Sequence, residues 1–261
     1  MIWAEGHLLQ SGKYRIQWQI GGGGFGLTYL AKDVHLQRSV VIKVPNRNFY
    51  DDSDYERFVR RFKQEGRLLE QLSHPHIVKV LDFFEDIPCL VMEYVDGKTL
   101  NQVIKERSYL PEKEALPYFQ KLAEALDIIH QKGIIHCDVH PSNIMLRNNE
   151  PVLIDFGSAK LLKPSTLTVT TTMNESFAPY EQREGNPHAT LDVYSLAATL
   201  YFAVTGQKPQ PAVNRKMYGD LLKPPPEQRS RLSNGLNQAI LQGMALEAQD
   251  RPQSMQAWLK L

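Results

Sequence analysis

The chain has 261 residues, of which 42% are hydrophobic, and carries a formal net charge of +1. This length suffices for one large domain or two lobes that share a cleft, and the small charge gives no electrostatic reason to expect nucleic acid or an anionic membrane surface as a partner. Cys89 and Cys137 lack metal-ligand spacing, which is typical of free thiols in a reducing compartment and favours a cytoplasmic location. The start of the chain does not resemble a secretory signal, and its longest apolar stretch, residues 194–206, is too short for a bilayer.

The first 95 residues are predicted to be rich in β-structure. Residues 14–20, 27–31 and 39–44 alternate apolar and polar side chains, which is typical of strands in a small antiparallel sheet. Residues 54–72 show the apolar spacing of a helix. Two further strands are predicted over residues 77–81 and 88–94.

A glycine run separates the first two predicted strands. Four glycines, residues 21–24, precede Phe25 and Gly26, and the missing side chains would let backbone N–H groups approach phosphate oxygens. A flexible hairpin is the alternative. Lys43 follows on an apolar strand, so its ammonium group would project from a buried face, or it is an edge charge. Glu65, on the predicted helix, would pair with Lys43 or remain a solvated carboxylate.

The pattern becomes helical after residue 98. A helix that starts near Glu112 has an apolar stripe, and a buried helix is predicted over residues 190–204, capped by Thr190 and ended by Gly206. Helices over residues 233–245 and 253–261 close the chain. Residues 161–176, rich in Ser and Thr, are an exposed loop, a substrate platform or a regulatory site. The shift in composition predicts one domain, residues 1–261, with an N-lobe over 1–95 and a C-lobe over 96–261.

Two acids and an amide lie on short loops beside apolar strand residues in the second region. Asp138 and Asn143 belong to the segment 133–143, and Asp155 lies in the sequence Val-Leu-Ile-Asp-Phe-Gly at residues 152–157. Carboxylate and amide oxygens suit a divalent metal. A carboxylate can also accept the proton of an attacking hydroxyl.

In this order, the motifs resemble those of the eukaryotic-like (bacterial-type) serine/threonine protein kinases over nearly the whole chain. The resemblance implies an α+β, two-lobed kinase fold, with a β-rich N-lobe that holds one major helix and a mainly helical C-lobe. It implies ATP and Mg2+ (or Mn2+) as cofactors, and transfer of the γ-phosphate to Ser or Thr hydroxyls of a protein substrate. By resemblance, Asp138 is the catalytic base, Lys43 contacts the α and β phosphates, and Asn143 and Asp155 are the metal ligands.

The resemblance also implies a nucleotide site. A phosphate-covering loop would have Phe25 at its tip, and the adenine ring would lie against four apolar side chains beside backbone groups near Glu93 and Val95; ordinary core packing is the alternative for those four. The implied nucleotide-binding residues are Ile20, Gly21, Gly23, Phe25, Gly26, Thr28, Val41, Lys43, Glu65, Met92, Glu93, Val95, Met145 and Asp155. Outside that site, Glu181 resembles the glutamate that closes the activation segment, Arg251 its ion-pair partner, and Asp192 the acid that anchors the catalytic loop.

Three residues depart from the family pattern. Cys137 replaces the arginine that pairs with a phosphorylated activation loop, which predicts little dependence on phosphorylation of that loop. His140 replaces a lysine near the transferred phosphoryl group, so we expect a catalytic role whose positive charge follows the protonation of histidine. Asn174 falls where a companion threonine is usual.

Two other functions are compatible with the sequence. The Asp-x-His-x-x-Asn loop at residues 138–143 is similar to that of small-molecule phosphotransferases, such as those that act on aminoglycosides or choline. A catalytically silent scaffold is the other alternative. The Val-Met-Glu-Tyr-Val-Asp-Gly segment, residues 91–97, and the Asp192 and Arg251 motifs resemble protein kinases and favour that function.

Overall fold

The computed structural model describes residues 3–23, 26–46, 52–156, 160–161, 174–219, 222 and 232–261. Within these ranges, the side chains of residues 23, 52–54, 57, 61, 65, 68, 160 and 161 lie outside the description. The chain divides into two compact units, Met1–Val95 and Asp96–Leu261. None of the helices in the described ranges has the length and apolar character that a membrane span requires.

The first unit contains a six-stranded antiparallel sheet and one long helix. The strands run in the order β1-β2-β3-β4-β6-β5. Their bounds are β1 (Leu8–Leu9), β2 (Tyr14–Gly23), β3 (Gly26–Asp33), β4 (Arg38–Val44), β5 (Val80–Phe84) and β6 (Cys89–Glu93), and the helix is α1 (Asp52–Glu70). The predicted antiparallel sheet is confirmed. The strand expected from residue 77 begins at Val80, because the Ile77 N–H closes a turn onto the carbonyl of His74.

Alternation of side chains in β4 determines which residues of the sheet form the core. Val40, Ile42 and Val44 are buried and pack with Tyr29 of β3 in one hydrophobic cluster. Successive strand residues point to opposite faces, so Lys43 lies on the face away from this cluster. The sheet therefore separates its apolar core from the face that carries the lysine.

The second unit is mainly helical. Its helices are α2 (Leu100–Arg107), α3 (Glu112–Gln131), α4 (Ala189–Thr205), α5 (Ala212–Tyr218), α6 (Asn234–Gly243) and α7 (Met255–Trp258), with 3-10 helices at Tyr180–Glu184 and Ala248–Asp250. Its strands are β7 (Lys98–Thr99), β8 (Ile134–Ile135), β9 (Ile144–Arg147), β10 (Glu150–Leu153) and β11 (Lys160–Leu161). They form the small sheets β10-β9-β7 and β11-β8.

Helix α4 is the buried centre of this unit. It ends at Gly206 as predicted, where the glycine takes φ +70° and its N–H donates to the Phe202 carbonyl at 2.8 Å. The predicted cap at Thr190 is wrong, because the helix begins one residue earlier and the Nδ1 of His188 accepts the Thr190 N–H at 3.3 Å. Leu116, placed on the apolar stripe of α3 by its spacing, is 40% exposed.

The close approach of α6 to α4 predicts an unusual response to alanine. A Cβ on Gly243 would lie 2.5 Å from the Cβ of Ala197 and 2.9 Å from the Nε1 of Trp258. Although alanine favours a helix over glycine, we expect overpacking to dominate, so that Gly243→Ala lowers the free energy of unfolding by about 1–3 kcal/mol in denaturant titrations. Gly235→Ala in the same helix is the control, since its Cβ would meet only the Leu261 carbonyl oxygen, at 3.3 Å. A Gly243→Ala protein as stable as the parent would contradict this packing.

Candidate active site

A buried carboxylate on α4 accepts hydrogen bonds from the loop that carries Asp138. Asp192 is fully buried, and its Oδ2 and Oδ1 accept the backbone N–H groups of His136 and Cys137, both at 2.8 Å. The predicted anchoring role of Asp192 is confirmed by these contacts. A third partner, the Nε2 of His130 on α3, lies 2.7 Å from Asp192 Oδ2.

These partners keep Asp192 charged. Burial by itself raises the pKa of Asp192, but the hydrogen bond with the His130 ring and the one from the His136 backbone N–H help to hold that pKa below its ordinary value. A buried carboxylate that remains ionised is a strong acceptor for backbone N–H groups. The start of the loop that carries Asp138 is therefore fixed to the most buried helix of its unit.

Asn143 connects Asp138 to the strand that leads to Asp155. The Asn143 Nδ2 donates to the Asp138 backbone carbonyl at 3.0 Å and to its Oδ2 at 3.2 Å. The backbone carbonyl of Asn143 accepts the N–H of Ile154 at 3.0 Å, and Asp155 is the next residue. The three residues singled out in the sequence are thus brought to one region of this unit.

His140 lies beside Asp138. Its Nδ1 accepts the Ser142 N–H at 3.2 Å, which assigns any ring proton of the neutral imidazole to Nε2. This Nε2 lies 3.6 Å from the Oδ1 of Asp138. His140, which departs from the family pattern, therefore lies next to the carboxylate of Asp138.

His136 occupies the buried side of the same loop. Its Nδ1 accepts the Asp138 N–H at 3.3 Å, and its ring packs against that of Phe156, the residue after Asp155, with 4.6 Å between the ring centroids and 48° between the ring planes. Burial lowers the pKa of His136 below its ordinary value, and the carboxylates of Asp192, Asp138 and Asp155 only partly oppose this effect. The imidazole is therefore neutral near pH 7 in the folded protein.

This neutral histidine predicts a loss of stability on acidification. Below the ordinary histidine pKa of 6.5 the unfolded chain binds a proton that folded His136 does not, so the free energy of unfolding rises with pH between the lowered folded pKa and 6.5. His136→Gln removes the titrating group and should reduce this slope by up to about 1.4 kcal/mol per pH unit. Urea titrations of both proteins between about pH 5 and pH 7 measure the difference. Equal slopes would contradict a neutral His136.

In the first unit, four predicted nucleotide-binding residues share one face of the sheet. Residues directly opposite in antiparallel strands point the same way, and Thr28 pairs with Lys43 while Val41 pairs with Met92. Lys43 is only 5% exposed, in agreement with its predicted position on a buried face. If Lys43 were an edge charge of the sheet, its side chain would lie in solvent, so its burial argues against that alternative.

The glycine segment is described in part. Gly21 and Gly23 end β2 and Gly26 begins β3, with φ +130° at Gly26, where a Cβ would collide with the Val44 carbonyl. Ile20 is 48% exposed. Phe25 and the side chain of Glu65 lie outside the described residues. The predicted loop tip and the predicted Lys43–Glu65 pair therefore stay predictions.

The remaining predicted binding residues lie at the end of β6, just after it, or on β9. Glu93 is engaged with Lys79, because its N–H donates to the Lys79 carbonyl at 2.9 Å and its carboxylate accepts the Lys79 N–H at 3.1 Å. A ligand at this segment would therefore use other backbone groups than the Glu93 N–H. Val95 is buried, and Met145 is half-buried on β9 of the second unit.

The ion pair predicted between Glu181 and Arg251 is confirmed. Arg251 Nη1 lies 2.5 Å from Glu181 Oε1 and Nη2 lies 3.1 Å from Oε2, so the contact is bidentate. The same guanidinium donates to the carbonyls of Thr190, Ala245 and Leu246. The 3-10 helix Tyr180–Glu184 is thus fixed to the centre of the unit.

Two residues at this site were not predicted. His130 binds Asp192 from a helix that ends before the loop of Asp138 begins, and Gln182 donates from its Nε2 to the Cys137 carbonyl at 2.7 Å. In the sequence, His130 is a polar residue at the end of an otherwise apolar helix stripe, and this position could have indicated a buried polar contact. For Gln182, the only indication of a role at this site is its position next to Glu181.

The donor set fits a divalent cation. The Asn143 Nδ2 is turned toward Asp138, which leaves Oδ1 as the amide atom available to a cation, and Asp155 supplies a carboxylate in the same region. Mg2+ binds through few protein oxygens and takes its other ligands from phosphate and water. Within the described ranges, no cluster of three or more His, Cys, Asp or Glu side chains could hold a metal without such help.

Comparison with known proteins identifies the family. The sequence model of the protein kinase domain family matches residues 14–258 of the chain. The chain belongs to the protein kinase family. The β-rich first unit and mainly helical second unit of this kinase domain agree with the predicted α+β, two-lobed fold, which is confirmed by similarity to solved kinase domains.

Bacterial proteins are among the relatives of this kinase domain. It is 35% identical to a probable serine/threonine-protein kinase of Clostridium perfringens (93% of this chain, 36% of that protein). It is 37% identical to the serine/threonine-protein kinase PrkC of Bacillus subtilis (76% and 31%) and 32% identical to PknB of Mycobacterium tuberculosis (94% and 41%). The chain thus spans about two fifths or less of the length of these relatives.

Solved structures of other proteins are also similar to this kinase domain. The kinase domain is similar to the apo form of PpkA-294, with a TM-score of 0.80 at 29% identity over 99% of this chain and 98% of that chain. It is also similar to a mutant form of the PknI kinase domain of Mycobacterium tuberculosis, with a TM-score of 0.73 at 28% identity over 100% of this chain and 97% of that chain.

Proposed function

We propose that this domain transfers the γ-phosphate of ATP to Ser or Thr hydroxyls of proteins, with Asp138 as the catalytic base. The observation that carries the proposal is the assembly of Asp138, Asn143 and Asp155 around a loop anchored by Asp192. The three relatives named above are serine/threonine-protein kinases, which supports the class of substrate.

Phosphoryl transfer needs positioning and charge neutralisation more than covalent chemistry. In this proposal Asp138 orients the acceptor hydroxyl and accepts its proton, while Asn143 turns the Asp138 carboxylate through its Nδ2. The Oδ1 of Asn143 and the carboxylate of Asp155 would hold Mg2+ (or Mn2+), which would neutralise phosphate charge. Lys43 contacts the α and β phosphates.

The nucleotide would bind along the lysine face of the β-sheet. Backbone N–H groups of the glycine segment, residues 21–26, contact the phosphates in this proposal. By resemblance to the family, the adenine ring would lie against Ile20, Val41 and Met92 of the first unit, and Glu65 would hold Lys43. Thr28 and Val95 complete the set, since Thr28 pairs with Lys43 in the sheet and Val95 follows Glu93.

Cys137 bears on regulation. It is buried on the loop, in contact with Ile135 and Leu191, and its thiol has no positive charge with which to bind a phosphorylated loop. We therefore propose that activity depends little on activation-loop phosphorylation. The loop itself, residues 162–173, lies outside the described residues.

His140 completes the proposed catalytic group. Its Nε2 faces the Asp138 carboxylate at 3.6 Å, so the imidazole replaces the usual lysine beside the transferred phosphoryl group. In this role it supplies a proton donor and, when protonated, a positive charge. A cytoplasmic location belongs to the same proposal, since ATP is available there and neither Cys89 nor Cys137 forms a disulfide.

A substrate panel tests the proposed function against both alternatives. Purified protein with ATP and Mg2+ is incubated with a generic protein substrate, with aminoglycosides and with choline, and phosphate transfer to each is measured. Transfer to protein alone is the expected result. Transfer to an aminoglycoside or choline alone would establish a small-molecule kinase. Thermal stabilisation by ATP without any turnover would indicate a silent scaffold.

A further inference from the structure

The residue before the proposed base has a strained backbone. Cys137 has φ +62°, in the left-handed region that residues with a Cβ rarely adopt. It is buried and lies between the anchored His136 and Asp138. Strain of this kind persists only where surrounding contacts determine the backbone.

Both sides of Cys137 are held by side chains that come from elsewhere in the chain. Its N–H donates to Asp192 at 2.8 Å, and its carbonyl accepts the Nε2 of Gln182 at 2.7 Å. This carbonyl belongs to the same planar peptide as the Asp138 N–H, which donates to His136 Nδ1 at 3.3 Å. The peptide that carries Asp138 is therefore clamped at its oxygen by Gln182 and at its nitrogen by His136.

Gln182 is suited to this task by its own environment. It is buried, and its neighbour Glu181 is fixed by the bidentate pair with Arg251. A backbone carbonyl needs a donor, which assigns Nε2 to the contact. Among the described residues, no group donates a hydrogen bond to the Gln182 Oε1. The single bond to Cys137 thus fixes the orientation of the buried amide.

We propose that Gln182 is a positioning residue for catalysis, which holds the Cys137–Asp138 peptide so that the Asp138 carboxylate faces the acceptor hydroxyl. It connects the 3-10 helix Tyr180–Glu184 to the proposed base through a neutral amide. This role rests on the proposed function of Asp138. In this role Gln182 does not itself contact substrate, nucleotide or metal.

Two variants of similar shape test the role. Gln182→Met removes the donor, and Gln182→Glu places a carboxylate oxygen against the Cys137 carbonyl. Because a displacement of about 1 Å at a reacting group can lower a rate by about 100-fold, we expect kcat to fall by about 10-fold or more in Gln182→Met, and further in Gln182→Glu. The KM for ATP should change by less than about 2-fold in both, since only the position of the base is altered.

Gln253→Met is the matched control. Its Nε2 also donates to a backbone carbonyl, that of Arg251, at 2.7 Å, but it does not contact the loop of Asp138. We expect its kcat to remain that of the parent. Equal losses of kcat in Gln253→Met and Gln182→Met would overturn the positioning role, because a general structural effect would explain both.

Asp138→Asn separates this proposal from the one on which it rests. If Asp138→Asn abolishes transfer and Gln182→Met keeps the parent kcat, the positioning role alone is wrong. If Asp138→Asn retains transfer, Asp138 is not the base and both proposals fail. A crystal structure of Gln182→Met gives a second readout: we expect φ of Cys137 to leave the left-handed region or Asp138 to move away from Asn143, and an unchanged loop would count against the role.

Discussion

Asp138→Asn is expected to lower the rate of phosphoryl transfer by about 100-fold to 10,000-fold, the contribution typical of a general base. The substitution keeps the size of the side chain but removes the carboxylate that would accept the proton. Asn143 Nδ2 still has the Asp138 backbone carbonyl as a partner at 3.0 Å, so the loop should retain its fold. Steady-state kinetics measures kcat, and thermal shift with ATP checks that the nucleotide still binds.

Asp127→Asn is the matched control for this prediction. Asp127 is a half-exposed acid on α3 whose Oδ2 accepts hydrogen bonds from Gln131 and Gln256 rather than from the loop of Asp138. Its kcat should stay within about 2-fold of the parent, because no reacting group is altered. Comparable kcat in Asp138→Asn and Asp127→Asn would remove Asp138 from the mechanism.

Arg251→Met is expected to cause the largest loss of stability, about 3–5 kcal/mol in the free energy of unfolding. The guanidinium is fully buried and satisfies Glu181 as well as the carbonyls of Thr190, Ala245 and Leu246. Methionine would leave the Glu181 carboxylate uncompensated and these carbonyls without their donor, and both effects are costly away from water. Denaturant titration measures the change.

An exposed ion pair provides the comparison. Arg183 pairs with Glu175 at 2.9 Å while both side chains are mostly in solvent, so Arg183→Met should cost less than about 1 kcal/mol. In the double variant Glu181→Leu with Arg251→Met, part of the lost stability should return, because the uncompensated carboxylate is gone. Similar losses in Arg251→Met and Arg183→Met would show that burial does not determine the strength of the Glu181 contact.

Local patterns predicted the parts of the fold that local physics determines. Alternation in residues 39–44 correctly indicated a strand with Lys43 on a buried face, and Gly206 correctly ended α4 because only glycine takes positive φ without strain. Short loops after apolar segments correctly indicated that Asp138 and Asn143 lie together. In these cases the signal lies within a few residues.

Contacts between distant segments could not be predicted in the same way. The Gln182 amide meets the Cys137 carbonyl across 45 positions, and His130 meets Asp192 across 62, so no local spacing encodes either pair. The cap of α4 was misplaced because threonine is a frequent cap whereas the imidazole of His188 is not. Helix α5 was not predicted, since its seven residues are too few for a clear periodicity.

A mass-spectrometric map of phosphorylated residues tests the central proposal most directly. Parent and Asp138→Asn proteins are incubated with ATP, Mg2+ and a generic protein substrate, and modified positions are counted in the substrate and in the chain itself. The proposal predicts phosphoserine or phosphothreonine with the parent and a near-complete loss with Asp138→Asn. Absence of protein phosphorylation in the parent, or equal labelling by the two proteins, would contradict it.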